Sequence, residues 1–292
     1  MNDSTITLQA LLAKESELSS LPEIYIRISE LLDSDTASSA QIGQVVETDP
    51  ALSLRILKMV NSAFYGFSHK VDSIAQAITI LGRERLKQIL IGSVLSGVFG
   101  KMENHVFHME DFWRHSVKTA ILARYLSLQT ESAQHADSLF TAGLLHDIGR
   151  LIMAKLIPER TREIQDSVDI EDGDLYHAEE RILGFTHCDV GAGFIKKWDL
   201  PDMLAVAAQS HHNPRAITEY ILEAGIIYVA NNLNFLVAPI EEEEVEYALQ
   251  DIPGWDDYGL SLENITAACI IAEEQVHEVM DSLGMTQLKI EG

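Results

Sequence analysis

The residues of this chain best suited to chemistry lie in its second half. In order they are His115, the adjacent pair His146-Asp147, His187, the pair His211-His212, and Asn231. Imidazole nitrogens and carboxylate oxygens suit divalent iron, manganese, nickel or zinc. The His146-Asp147 pair sits in an almost wholly apolar run, with Leu144 and Leu145 before it and Ile148, Leu151 and Ile152 after it. A polar pair in such a run is costly to bury unsatisfied. A metal ion would satisfy it, and so would a His-Asp hydrogen bond with solvent. Adjacent residues of a helix point about 100° apart, so the pair approaches one ion only from the edge of a cleft. The other ligands must then come from neighbouring helices. Asp147 has two oxygens and can bridge to a second ion. Arg150 can contact a phosphate group in a bidentate way.

Helices must position these residues. Ser20 and Glu23 have capping-box spacing, with Pro22 suited to the first turn. Asp49-Pro50 opens another helix, and Ser73 with Gln76 caps a third that Gly82 is placed to end. Residues 86–99 read as a buried core helix. Further helices are expected at about 109–128, 137–156, 175–183, 187–198, 201–211, 217–236 and 262–282. Thr186 and Asp189 place His187 at a helix start, and Gly191 and Gly193 allow that helix to pack closely. His211-His212 precede Asn213-Pro214, where a helix ends. Residues 169–174 and 251–259 read as loops, and Glu241–Glu244 as an acidic helix start. Alternating Val-rich runs are absent, so no sheet is expected and the fold class is all-α.

Composition narrows the functions. The chain has 292 residues, 47% hydrophobic and 23% charged, as a globular core requires. Its 21 basic and 45 acidic residues give a formal net charge of -24. That field repels phosphate backbones and anionic membranes, so neither nucleic acid nor membrane is an expected partner. Met1 to Glu17 shows no secretory signal, and a cytoplasmic location is expected. Cys188 and Cys269 form no disulfide framework and read as inert packed thiols. His69, His105, His108, His135, His177 and His277 read as surface residues.

Three phrases of the first half carry a family resemblance. They are Leu21-Pro22 at a helix start, Thr48-Asp49-Pro50-Ala51-Leu52 followed by Val60-Asn61-Ser62-Ala63-Phe64-Tyr65-Gly66, and Ile74 to Gly82 read as I-x-x-A-I-x-x-L-G. In this order they resemble the HDOD domain of bacterial signalling proteins, over roughly residues 15–215. Asn61 also makes sense as a side chain that satisfies loose carbonyls at a helix end, and Tyr65 as a buried ring with a wet hydroxyl. The resemblance implies an HD-superfamily-like helical bundle with an N-terminal helical subdomain. It divides the chain into an extension (1–14), an N-terminal helical part (15–105), an HD-like part (106–215) and a C-terminal helical extension packing on the bundle (216–292).

The order of the histidines is similar to that of the HD superfamily. It implies a first ion at His115, His146, Asp147 and a distal position, here Asn231 where the family has aspartate. It implies a second ion at Asp147, His187, His211 and His212. Asparagine brings no charge, so the first ion would be held more weakly. The HD-GYP phosphodiesterases, which are relatives, carry a Gly-Tyr-Pro loop after the double histidine. This chain reads His212-Asn213-Pro214 and has Arg150 where those relatives commonly have lysine. The expected function is bacterial signal transduction through a regulatory, ligand- or partner-binding domain that retains one or two divalent ions. Its expected partners are signalling proteins or a small phosphate-containing ligand. The alternative is an active metal-dependent phosphohydrolase in which Asp147 and Arg150 are catalytic. A pure interaction scaffold is the third reading.

Overall fold

The computed structural model describes residues 6–14, 18, 20–99, 102, 106–171 and 174–286. Among these residues the regular elements are all helices, as the absence of alternating runs predicts. The first six are α1 (Leu8–Ala13), α2 (Glu23–Asp33), α3 (Ser39–Val46), α4 (Pro50–Val60), α5 (Ile74–Leu81) and α6 (Arg83–Phe99). Then come α7 (Met109–Ser127), α8 (Ala136–Leu145), α9 (Ile148–Leu156), α10 (Pro158–Glu171), α11 (Leu175–Leu183), α12 (His187–Lys197) and α13 (Asp202–Ser210). The last are α14 (Ile221–Leu233), α15 (Glu242–Leu249) and α16 (Leu262–Leu283). One apolar core runs from Leu11 to Met285 through all of these layers.

Local chemistry explains most starts and stops. Asp49 accepts from the Ala51 and Leu52 amides at 3.0 Å, and Pro50 takes the first helical position. Ser73 caps α5 by accepting from the Gln76 amide at 3.2 Å, and Gly82 ends that helix at φ 83°. Asn61 is a clamp. Its Nδ2 donates to the carbonyls of Leu57 (2.8 Å) and Val71 (2.9 Å), and its Oδ1 accepts from the Val71 amide at 2.8 Å. The loop from 61 to 71 is thus pinned to the end of α4. Core helix α6 is buried as expected, and Ser96 Oγ donates to the Leu283 carbonyl at 2.6 Å, docking α16.

Four expectations change. The Ser20–Glu23 box does not form, because Pro22 itself stands at the cap (φ -52°, ψ 141°) and leaves Ser20 two residues upstream. The helix expected at 137–156 is two helices, broken at His146-Asp147, where Asp147 turns to φ -98°, ψ 9°. Residues 158–171 form α10, so part of the acidic stretch expected as a loop is helical. Among its described side chains the buried anchors are Ile164 and Thr161, too sparse a stripe to read as a helix. The helix expected at 217–236 is shorter, because Tyr220 at φ 54° sets its start.

Helix α7 is the central strut, packing on α8, α14 and α16. A charged clamp holds α16 to it. Lys118, fully buried, donates to the Leu236 carbonyl and to Glu273 Oε2 (2.5 Å), while Arg114 Nη2 donates to Glu273 Oε1 (2.6 Å). The Glu273 side chain is only 15% exposed. Removing its charge strands two cations, so Glu273→Gln is expected to cost about 3 kcal/mol in urea unfolding. Burial pushes the Glu273 carboxyl up, but the hydrogen bonds and charges of Lys118 and Arg114 outweigh it and hold it below the usual glutamate value. This stabilisation is complete above the unfolded glutamate value, about 4.3, and fades as pH falls through the lower folded value. The urea midpoints of wild type and variant should therefore differ at neutral pH and converge in acid.

Candidate metal centre

Two glycines let the helices that carry the candidate ligands close up. A Cβ on Gly143 of α8 would stand 2.6 Å from Ala120 Cα of α7, and one on Gly149 of α9 would stand 1.9 Å from the His187 carbonyl of α12. With hydrogen at these positions α7 brings His115 against His146, and α9 brings Asp147 against His187. Thr186 and Asp189 form the expected capping box, so His187 is the first residue of α12. His211 and His212 follow the last turn of α13.

Six of the seven expected ligands converge. His115 Nε2 lies 3.0 Å from His146 Nε2, and His187 Nε2 lies 3.3 Å from both His211 Nε2 and His212 Nε2. Asp147 stands between the two groups. Its Oδ1 is 3.3 Å from His187 Nε2 and 3.5 Å from His211 Nε2, and its Oδ2 is 3.5 Å from His115 Nε2 and 3.8 Å from His146 Nε2. Arg150 Nη1 donates to that same Oδ2 at 2.9 Å. The seventh, Asn231, lines the cavity onto which they open. Asn234 lines it too and reaches the His115 side chain.

The ring orientations are set from behind. His146 Nδ1 donates to the Gly143 carbonyl (2.6 Å), His211 Nδ1 to the Ala208 carbonyl (2.9 Å), and His187 Nδ1 to Glu179 Oε2 (2.6 Å). These partners can only accept, so the neutral rings are Nδ1–H tautomers whose Nε2 lone pairs face inward. Two lone pairs 3.3 Å apart repel unless a proton or a cation lies between them. Metal–nitrogen bonds of 2.0–2.1 Å in a tetrahedron place the nitrogens about 3.3 Å apart. The donor set therefore fits a divalent ion.

The electrostatics of the cluster follow from its burial and from Asp147. Burial alone would raise the Asp147 carboxyl, but the pull of His146 and Arg150 and hydrogen bonds from His187 and His211 hold it well below the carboxylate range. Burial drives His146 well below its ordinary value, against the attraction of Asp147. Burial also drives His212 down to about 3, helped by His211 and His187. Burial pushes His211 down as well, yet Cys188 and Asp147 outweigh it and bring His211 up to about 9.

Cys188 departs from the inert thiol expected of it. Its Sγ lies 3.9 Å from His211 Nδ1 and belongs with His187, His211 and His212 as a possible ligand. Burial raises the thiol, but the charges of His211 and His187 bring it down to about 6. Cys269 is the packed thiol expected, raised to about 12 by burial. Glu179 was not singled out from the sequence, because nothing in its spacing links it to His187 eight residues on. Tyr176, whose ring centroid is 5.0 Å from that of His212, was also missed. Of the six other histidines, His69, His108, His177 and His277 are exposed and His135 is half-exposed, while His105 lies outside the described residues. A cavity of about 500 Å³ opens onto His115, Asp147, Arg150, His187 and His212.

Known proteins with the same plan exist. A crystal structure of a candidate phosphohydrolase from Shewanella amazonensis superposes with a TM-score of 0.79 at 22% identity, covering 96% of this chain and 99% of that one. An HDOD domain protein of unknown function from Geobacter sulfurreducens gives 0.76 at 21% identity, covering 96% and 97%. At such identities the likeness shows the fold. An uncharacterized protein of Treponema pallidum is 26% identical over 240 residues, 80% of this chain. The chain spans 45% of that relative's length. The HDOD domain profile matches residues 18–214, over half of the chain and across both the Asn61 clamp and the histidine cluster, and the chain belongs to the HDOD domain family.

Proposed function

We propose that this chain is a bacterial, cytoplasmic signal-transduction protein whose HDOD body holds a divalent metal ion and receives a phosphate-containing ligand beside it. One observation carries the reading: buried rings with anchored Nδ1 atoms turn their Nε2 atoms onto a shared carboxylate. His187, His211, His212 and Asp147 Oδ1 would hold the ion, with Cys188 within reach as a further donor. Arg150 occupies Asp147 Oδ2, the oxygen facing His115 and His146, so its guanidinium competes with a second ion there. Asn231 adds no charge to offset that competition. This supports one strongly held ion and a regulatory role.

The cavity of about 500 Å³ favours a second reading, metal-dependent hydrolysis of a phosphate ester. A bound ion would lower the pKa of water and stabilise charge on phosphorus. Arg150 would orient phosphate oxygens from the pocket wall, and Asp147 would hold the ion beside them.

Protein purified without a histidine tag should carry close to one iron, manganese, nickel or zinc per chain by elemental analysis, and Asp147→Ala should lose it. Metal-free protein of undiminished stability would leave only the scaffold reading. Glu179→Gln, which weakens the anchor of His187, is expected to lower metal affinity 10–100-fold in a chelator competition. For the second reading, a panel of phosphate mono- and diesters should show turnover above the Asp147→Ala background; turnover equal to that background would leave the regulatory role.

A further inference from the structure

A groove of about 750 Å³ lies between the end of α14 and the face of α15, next to the metal pocket. Its apolar surface is unusually open. Phe235, Val237 and Tyr247 are 65%, 59% and 71% exposed, and Leu236 and Ile252 are buried beneath them. Isolated exposed apolar side chains are ordinary, but three in one groove, two of them aromatic, mark an interaction surface. The rim is acidic. Glu243, Glu244 and Asp251 border the groove, and among the described residues no lysine or arginine forms an ion pair with them. Helix α15 has eight residues, about 12 Å or two turns of contact length.

We infer that this groove binds a basic amphipathic helix from another protein, with apolar residues on Phe235, Val237 and Tyr247 and with lysines or arginines against Glu243 and Asp251. An apolar floor inside a carboxylate rim is complementary to a helix with one apolar stripe and cationic flanks. The same rim repels anionic lipid. It also opposes a second copy of this chain, which brings a net charge of -24 to the approach. The occupant would touch the metal pocket directly, because Asn232 and Phe235 line both cavities. The binding itself requires no metal, so it stands or falls separately from the proposed centre.

The test uses the full chain and a fluorescent synthetic Leu/Lys amphipathic helix, with a Leu/Glu helix of the same pattern as control, read by anisotropy. Two double variants probe floor and rim: Val237→Ser with Tyr247→Ser, and Glu243→Lys with Asp251→Lys. All four positions are exposed, and circular dichroism melts confirm that the variants fold. Glu244 is left intact because it closes the cap of α15. The Leu/Lys helix is expected to bind wild type, to lose at least tenfold in affinity to each double variant, and to weaken as salt rises, while the Leu/Glu helix does not bind. Equal affinity for wild type and both variants would overturn the inference, since the peptide would then sit elsewhere on the acidic surface. Sedimentation showing a wild-type dimer that the floor variant dissociates, or vesicle binding that the floor variant abolishes, would overturn it in favour of those occupants.

Discussion

A carboxylate that water barely reaches organises the second half of this molecule. Asp147 is 4% exposed and ionised, and such a group persists in an apolar interior only if its surroundings supply positive charge and donors. Here those surroundings come from five helices. His115 rides on α7, His146 ends α8, Arg150 lies one turn into α9, His187 starts α12, and His211 and His212 follow α13. The apolar packing of these helices and the satisfaction of Asp147 are therefore one problem. Gly143 and Gly149 solve its steric part, because any side chain there would hold α7 from α8 or α9 from α12.

The break between α8 and α9 has the same origin. In a continuous helix His146 and Asp147 would diverge by about 100° and could share a centre only at its edge. The turn at Asp147 changes that geometry, so one carboxylate oxygen faces His115 and His146 while the other faces His187 and His211. The apolar run on both sides hid this turn from the sequence, because a hydrophobic pattern reports burial and not the path of the backbone. The helix-end positions of His187, His211 and His212 were legible, since capping residues and prolines mark ends directly. The groups behind the ligands were not. Glu179 meets His187 across a turn whose geometry no spacing encodes, and Asn234, just past the end of α14, reaches His115.

The first half was legible for a different reason. Asp49-Pro50, Ser73 and Gly82 act on the backbone within a few residues of themselves, so type and position suffice. Asn61 has a longer reach, yet its role as a carbonyl acceptor's partner followed from its place after α4. The missed α10 marks the limit of pattern reading. A helix with a few buried residues and many charged ones carries little periodic signal.

The acidic surface and the buried centre are also connected mechanically. Lys118 lies three residues after His115 on α7, and its ammonium is held by Glu273 and by the carbonyl of Leu236. Leu236 is part of the floor of the groove beside α15, and its neighbour Phe235 walls both the groove and the histidine-lined cavity. A displacement of residues 235–237 therefore acts on a buried ammonium, and losing its Leu236 acceptor costs free energy. The helix that must absorb the strain is the one that carries His115. Rigid packing transmits such a shift rather than dissipating it, because the Gly143–Ala120 contact leaves α7 no space to slide against α8. The proposed regulatory role needs no hydrolysis, since the proposed docking groove and the carboxylate that gathers the histidines are fastened to the same strut.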